Sequence, residues 1–416
     1  MNQAHKNFTL GIVHEALWGS GMGFFLPATI LPLALVDLGQ SAVLVGLMAA
    51  LFSGGITFPQ VFSALALPPR FTDPKTLAWL HVPAILGPLL AGLAFAWLPP
   101  GAREGRVLFL FAGFSLFSFG CGVIVPHWVA CLGRCIPENR RGRYFGSSFF
   151  ANGLCAIGTS WLASHWVERG GMNWGYSSCF MVPVPFLLAS AIVLSRLKPI
   201  LPRPKAPPPG ALWKSFGMMN HKLTQSGPFR TGLVLAVLMI LASAPGNLYT
   251  AYLRNEARVD PFWFQLFSPS LAMGAMAGAF LLGWLADHRG LKPAFAVALA
   301  AGLASLVLVN FWGNPLWPAL GFTGSGMINA AYPVVLLVMI LKLSGHQEST
   351  LQQGLFSTLL SPWSVGAPFL CGWLAEKAGY SWAFGFAGVC ALAAFGFLLT
   401  GGKLEEGRKG KSGGSV

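Results

Sequence analysis

The feature that most constrains this chain is a succession of apolar runs, each long enough to cross a membrane. A helix rises 1.5 Å per residue, so about 20 apolar residues span the hydrocarbon core. The 416-residue sequence contains twelve such runs, which we predict to be transmembrane helices. Their predicted bounds are 9–37, 42–67, 76–98, 107–131, 144–167, 176–196, 230–253, 261–286, 293–312, 315–341, 353–375 and 381–400. Only 10% of the residues are charged, against roughly 25% in a typical soluble domain.

The runs fall into two groups of six, separated by a basic segment rich in proline. We therefore predict an N-terminal six-helix bundle at 1–196, a cytoplasmic linker at 197–229 and a C-terminal six-helix bundle at 230–400. The Gly- and Lys-rich residues 401–416 are predicted to be a disordered cytoplasmic tail. The sequence thus indicates an all-α polytopic membrane protein with two bundles.

The two halves also resemble each other in sequence. Arg134 and Gly146 precede Lys342 and Gly354 by the same spacing, and both pairs flank a turn into the next helix. Paired six-helix repeats are typical of transporters whose substrate site lies between the halves near the membrane midplane. The alternative is a chance sequence similarity between apolar segments. The repeat therefore supports the pseudo-symmetric architecture but does not establish it.

The positive residues predict the orientation of the chain. If both termini are cytoplasmic, 21 of the 27 Lys and Arg residues lie on the cytoplasmic side and 6 on the other. This is the bias that the positive-inside rule describes. The net charge of +14 therefore reflects membrane topology, and we expect a multi-pass protein of the cytoplasmic (inner) membrane with no nucleic-acid partner.

A short charged turn lies between the eighth and ninth predicted helices, at 283–293. Gly283, Leu285, Ala286, Asp287, Arg289 and Gly290 fit the pattern G-x-L-a-D-r-x-G-r-k, and Lys292 fills one basic position. This segment resembles the loop 8–9 motif of the major facilitator superfamily. The resemblance extends over about 1–400, with 137–143 similar to that family's loop 4–5 and 366–380 similar to its eleventh helix. It implies the fold of that family, with twelve helices in two pseudo-symmetric bundles.

Two segments depart from the family's patterns. The loop at 68–75 lacks the glycine–acid frame that the family repeats in its first half, and the fifth helix at 152–159 lacks the Gly-Pro signature of drug/proton antiporters. The second departure weighs against a multidrug assignment. The first leaves the second-half loop as the main candidate for a conformational latch, formed by Gly283, Asp287, Arg289, Gly290 and Lys292. A plain turn with a positive anchor is the alternative interpretation of that loop.

Glu15 is the only acid well inside a predicted span. A carboxylate at such depth costs on the order of 2–3 kcal/mol unless it is paired, protonated or in contact with water. We predict that Glu15 binds a proton or the substrate, with a structural ion pair or a snorkelling carboxyl as the alternative. His14 is adjacent but points about 100° away around the helix, and His81 and His127 are further histidines that could join a titratable cluster. For each histidine a packing role is the stronger interpretation.

In the family, the first, fourth, seventh and tenth helices line the central cavity. The resemblance therefore makes polar residues of these helices candidates for substrate or proton contact. The candidates are Glu15, His14, Trp18, His127, Asn247, Tyr249, Asn329 and Tyr332. The second half has no charge inside its spans, which disfavours a strongly anionic substrate.

The sequence favours a secondary transporter that moves a small organic solute by alternating access, with or without proton coupling. The alternative is a membrane receptor or scaffold on the same fold that does not transport. No catalytic triad, metal-ligand cluster or nucleotide loop appears in the sequence, so we expect no enzyme activity, no metal and no cofactor. The expected partners are the substrate, the lipid bilayer and, in the coupled case, protons, and we expect a monomer. The seven cysteines lie mostly in apolar runs and are expected to be free thiols.

Overall fold

The computed structural model describes residues 3–137, 140–203, 210–225, 227–344 and 349–400, and these residues form a bundle of helices. In the first half the helices are α1 (Gln3–Gly23), α2 (Ile30–Asp37), α3 (Ala42–Thr57), α4 (Pro59–Ala66), α5 (Pro74–Trp97), α6 (Arg103–Cys135), α7 (Arg141–Gly170), α8 (Tyr176–Met181) and α9 (Pro183–Ser195). The linker contains α10 (Ala211–Gln225). In the second half they are α11 (Gly227–Ser243), α12 (Tyr249–Asn255), α13 (Phe264–His288), α14 (Leu291–Leu308), α15 (Leu316–Ser344), α16 (Ser349–Ala378) and α17 (Tyr380–Leu399).

These helices confirm the predicted fold class, because each of the twelve predicted spans overlaps one helix or a pair of consecutive helices. Eight helical stretches of the described chain are long and apolar enough to cross a membrane. Large apolar side chains are exposed on the outside of the bundle, including Trp79, Trp97 and Trp382. A soluble protein would not leave so many exposed, whereas lipid covers them favourably. The predicted tail at 401–416 lies outside the described residues.

The first predicted span of each half is broken into two helices. Residues 24–29, which include Pro27, separate α1 from α2, and a 3₁₀ turn at Ala244–Leu248, which includes Pro245, separates α11 from α12. Proline lacks the N–H that the helix needs and clashes with the preceding turn, so it interrupts the hydrogen-bond ladder. Corresponding helices of the two halves are therefore both discontinuous.

Polar contacts identify the two ends of the bundle. At one end, called the linker face, Arg134 donates to Asp73 Oδ1 at 2.8 Å and to Thr72 Oγ1 at 2.9 Å. At the other end, called the opposite face, Arg106 donates to Leu98 O and Asn173 Oδ1, each at 2.7 Å. Because successive spans run in opposite directions, each connection between spans belongs to one of these two faces.

The two halves pack along two helix pairs, α3 with α16 and α7 with α13. Glycines allow the first pair to approach closely. A Cβ atom on Gly46 would lie 2.5 Å from Pro368 O, and one on Gly372 would lie 2.6 Å from Ala42 O. Close approach through small residues is a common way for membrane helices to associate.

The start of the linker is attached to the first half. The buried side chain of Asn7 donates to Cys135 O at 2.8 Å and to Lys198 O at 2.7 Å, and it accepts from Lys198 N at 3.1 Å. Arg203 pairs with Asp73. The predicted linker at 197–229 thus begins with a segment, 198–203, that is bonded to the first half, and we call this segment the strap. The linker also contains the helix α10.

Candidate functional site

A cavity of about 380 Å³ lies between the two halves. This volume is typical of small-molecule sites. Both helix breaks contribute to its wall, through Pro27 in the first half and Asn247 in the second. Further lining residues come from α3, α11, α13, α15 and α16. The cavity is therefore lined by residues of both halves.

The helix breaks matter because they place irregular backbone beside this cavity. Non-helical backbone at membrane depth is tolerated where it is buried in protein or lines a cavity. Thr250, at the start of α12, donates to Ala28 O at 3.1 Å, and Ala28 is itself a lining residue. The start of α12 thus satisfies a carbonyl of the break in the first half, which joins the two halves beside the cavity.

Most of the lining is apolar, with a few neutral polar side chains. The polar ones are Ser53, Thr57, Ser243, Asn247, Asn329 and Ser364. Thr57 Oγ1 and Ser243 Oγ donate to backbone carbonyls of their own helices, at 2.9 Å and 3.1 Å. Asn247 Nδ2 donates to Ala244 O at 3.1 Å, which leaves its Oδ1 for another partner. Two sequence-predicted residues, Asn247 and Asn329, are therefore brought together in the wall of one cavity.

The structure places Glu15 elsewhere, inside the first bundle. Glu15 is buried and its Oε2 accepts a hydrogen bond from Asn152 Nδ2 of α7 at 3.0 Å. Its Oε1 lies 3.7 Å from His14 Nε2. Adjacent residues on a helix can thus approach each other despite the angle between them. Glu15 is not among the residues that line the cavity.

His14 and His81 form the rest of this polar cluster. His14 Nδ1 lies 2.7 Å from Ser190 Oγ, and its ring centroid lies 6.1 Å from that of His81. Trp18 packs edge-on against His81 and is stacked on Phe117. We call His14, Glu15, His81 and Asn152 the buried polar cluster.

Two of the remaining candidates, His127 and Tyr249, lie apart from both the cavity and this cluster. His127 Nε2 lies 3.0 Å from Ser63 Oγ of α4, so it bonds within its own bundle. Tyr249 is buried in the second bundle, where its hydroxyl lies 2.8 Å from Ser305 Oγ. Tyr332 lies in α15, but its side chain is outside the described residues.

The predicted latch lies at the linker face, between α13 and α14. Gly290 has a φ of 91°, a backbone conformation that favours glycine. Arg289 and Lys292 are exposed, and Gly283 lies within α13. The side chain of Asp287 is outside the described residues, so the latch remains a prediction.

Sequence reasoning missed several lining residues, among them Ser53, Thr57 and Ser364. They lie on helices that pair across the interface between the halves, whereas the resemblance directed attention to the first, fourth, seventh and tenth helices. Proline was not a sufficient signal, because Pro88 and Pro126 lie inside continuous helices whereas Pro27 lies at a break.

Comparison with protein families identifies the chain's relatives. Residues 16–366 match the family model described as the Major Facilitator Superfamily. No curated protein matches the chain in sequence.

Solved structures resemble the fold over nearly the whole chain. A partially occluded inward open conformation of the xylose transporter XylE from E. coli has a TM-score of 0.64 at 12% identity, covering 96% of this chain and 98% of that chain. The nucleoside transporter NupG has a TM-score of 0.61 at 15% identity, with 96% and 99% covered. At such identities the likeness shows the fold alone. Family match, fold and sequence motif agree: the chain belongs to the major facilitator superfamily.

Proposed function

We propose that this protein is a secondary active transporter that carries a small organic solute across the cytoplasmic membrane by alternating access. The observation that carries this proposal is the cavity between the halves, whose wall includes a discontinuous helix from each half. In transporters built from repeats, substrate sites lie at this position, and rocking of one bundle against the other exposes them to each side in turn.

The contacts between the halves support a state that is closed at the opposite face. There Arg254 pairs with Asp37, and Val43 N donates to Glu376 Oε2 at 3.2 Å. Under the positive-inside orientation this is the external face, and both termini are cytoplasmic. A transport cycle then requires these contacts to break while contacts form at the linker face, where the predicted latch residues lie.

Proton coupling through Glu15 is the second part of the proposal. The buried polar cluster does not line the cavity, so Glu15 acts on the substrate site through α1, whose end continues into the break at Pro27. A charge change on Glu15 alters its bond to Asn152 and therefore the packing of α1 on α7. This assignment makes Glu15 a positioning residue for coupling, and not a substrate ligand.

Flux through reconstituted protein tests the transport proposal. Proteoliposomes would be supplied with a panel of radiolabelled metabolites that includes xylose and a nucleoside, uridine, because structural neighbours are named as xylose and nucleoside transporters. We expect uptake above that of protein-free liposomes. Binding without flux would instead support the receptor alternative. The absence of both binding and flux would count against the transporter and the receptor hypotheses alike.

The coupling proposal needs an imposed pH gradient. We expect Glu15→Gln to abolish the stimulation of uptake by the gradient while exchange at equal pH continues. The matched control is Glu104→Gln, which removes an exposed carboxylate at the start of α6. Gradient-driven uptake that survives Glu15→Gln would show that Glu15 has no coupling role.

A further inference from the structure

The geometry points to an uncharged solute as the substrate, with a hydrogen-bonding edge held by Asn247 and Asn329 and an apolar body packed against α3 and α11. This inference rests on the proposed transport function and specifies the chemistry of its cavity. It depends on three observations: the charge of the lining, the free hydrogen-bonding groups and the distribution of apolar side chains.

The first observation is that no described lining residue carries a charge. An ion that enters such a cavity loses water without gaining an opposite charge, and that desolvation costs several kcal/mol per ion. Glu15, the buried acid of α1, is bonded to Asn152 within the first bundle and does not line the cavity. The cavity therefore favours a neutral solute over an anion or a cation of the same size.

The second observation concerns the two amides. In the described part of the chain, Asn329 has no hydrogen-bond partner for its side chain, and it is exposed. Asn247 uses one N–H on Ala244 O and keeps its Oδ1 free. Each amide offers both a donor and an acceptor. A solute with hydroxyl or amide groups along one edge would satisfy both residues, and a solute lacking them would leave both unpaired.

The third observation is an asymmetry between the halves. Both amides belong to the second half, whereas the apolar lining residues come from both halves, with Leu26, Phe52 and Ile56 among those of the first half. Met239 of α11 adds a flexible apolar side chain, of a kind that adapts to irregular shapes. The solute is therefore expected to direct its polar edge toward Asn247 and Asn329 and its apolar body toward α3 and α11.

Cysteine labelling tests the charge preference without knowledge of the substrate. Single variants Asn247→Cys and Asn329→Cys would be treated in detergent with three methanethiosulfonates, one neutral, one with a trimethylammonium group and one with a sulfonate. Rates would be normalised to Asn220→Cys, an exposed position on α10, and corrected for the native cysteines, of which six are buried. We expect the neutral reagent to react at least about tenfold faster than either charged reagent at the cavity positions, since each charge must be desolvated.

A second part of the labelling experiment introduces a charge into the cavity. Asn329→Asp keeps the shape of the side chain and adds a carboxylate, so the trimethylammonium reagent should gain at least about tenfold at Asn247→Cys in this background. Asn220→Asp, the same change on the exposed linker helix, should leave all three rates unchanged. Equal normalised rates for charged and neutral reagents at both cavity positions would overturn the inference.

Uptake measurements with neutral and charged probes distinguish failure of this inference from failure of the proposed transport function. Uridine and xylose serve as neutral probes, uridine monophosphate and xylonate as anions, and 5′-amino-5′-deoxyuridine as a cation. Uptake confined to charged probes would overturn the neutral-substrate inference while supporting transport. Labelling that prefers the neutral reagent, combined with the absence of any flux, would support the inference about the cavity and count against transport.

Discussion

Asp37 and Arg254 connect the two halves of the protein at the face opposite the linker. Arg254 Nε lies 3.4 Å from Asp37 Oδ1, and the hydroxyl of Tyr176 donates to Asp37 Oδ2 at 2.7 Å. Asp37 is the last residue of α2, and Arg254 lies in the last turn of α12. These two short helices follow the breaks that line the cavity, so the ion pair closes the protein directly beyond the candidate site.

Removing this ion pair should favour the conformation that opens at the opposite face. Partly exposed pairs contribute about 0.2–1 kcal/mol, so Asp37→Asn should change the ratio of the two conformations by up to about fivefold. The measurement is the distance distribution between spin labels at Gln40→Cys and Glu256→Cys, whose long-distance population should grow.

Two further variants check the ion-pair explanation. Glu104→Gln removes a carboxylate from the same face without touching the second half and should leave the distribution unchanged. Exchanging the charges, with Asp37→Arg and Arg254→Asp together, should partly restore the short distances. An unchanged distribution in Asp37→Asn would mean that the pair does not hold the halves together.

The glycine contact between α3 and α16 leads to a second prediction. Gly372→Ala would place a Cβ 2.6 Å from Ala42 O and 3.1 Å from Gly46 Cα. Backbone must then move, and overpacking of this kind costs typically about 1–3 kcal/mol. We expect a lower midpoint of thermal unfolding and slower transport.

Gly366→Ala is the matched control on the same helix, because a Cβ there meets nothing within 4 Å. Alanine is the better helix former by up to about 1 kcal/mol, so this variant should be as stable as the parent or more so. Equal behaviour of the two alanine variants would show that the close approach does not limit the packing of the halves.

The sequence was sufficient to predict the fold because length and hydropathy constrain a membrane chain strongly. All twelve runs overlap observed helices, and the predicted turn at Gly290 is observed between α13 and α14. Proline alone did not locate the break points. Pro27 and Pro245 lie at breaks, but prolines such as Pro88 and Pro126 lie inside continuous helices. What periodicity did not show is which side of each helix faces the other half.

The candidate site was only partly predictable for that reason. Asn247 and Asn329 were identified from the helices that line the cavity in the family, and both line it here. Glu15 and Tyr249, from the same helices, face the interiors of their own bundles. Depth along a helix can be read from sequence, but rotation about the helix axis depends on tertiary packing, and that decides whether a polar side chain meets substrate or a neighbouring helix.

Asn152 provides a third prediction, concerning the stability of the first bundle. Its amide donates to Glu15 Oε2, and Asn152→Leu would leave that buried oxygen without this donor. Such a loss costs about 1–3 kcal/mol. We expect a lower unfolding midpoint for Asn152→Leu, and a smaller decrease when the same change is made in Glu15→Gln, where the buried group is neutral. Equal decreases in both backgrounds would show that the effect comes from packing and not from the hydrogen bond.

Asp73 provides a prediction for pH dependence at the linker face. Burial opposes ionisation of this carboxyl, but the hydrogen bonds and charges of Arg134 and Arg203 outweigh burial and hold its pKa below the usual value. A depressed pKa in the folded protein contributes stability that is fully present above the unfolded pKa of about 3.9 and is lost as the pH falls through the folded value. The side chain is 25% exposed, so we expect a contribution of only about 1 kcal/mol.

Asp73→Asn should therefore lower the unfolding midpoint at neutral pH. The difference from the parent should shrink as the pH falls below the unfolded pKa of about 3.9 and Asp73 itself becomes protonated. The strap at 198–203 should also become more accessible to protease at neutral pH, because Arg203 loses its partner. Glu104→Gln, at the opposite face, should change neither measurement. A stability difference that is constant across this pH range would show that the Asp73 charge does not hold the linker to the first half.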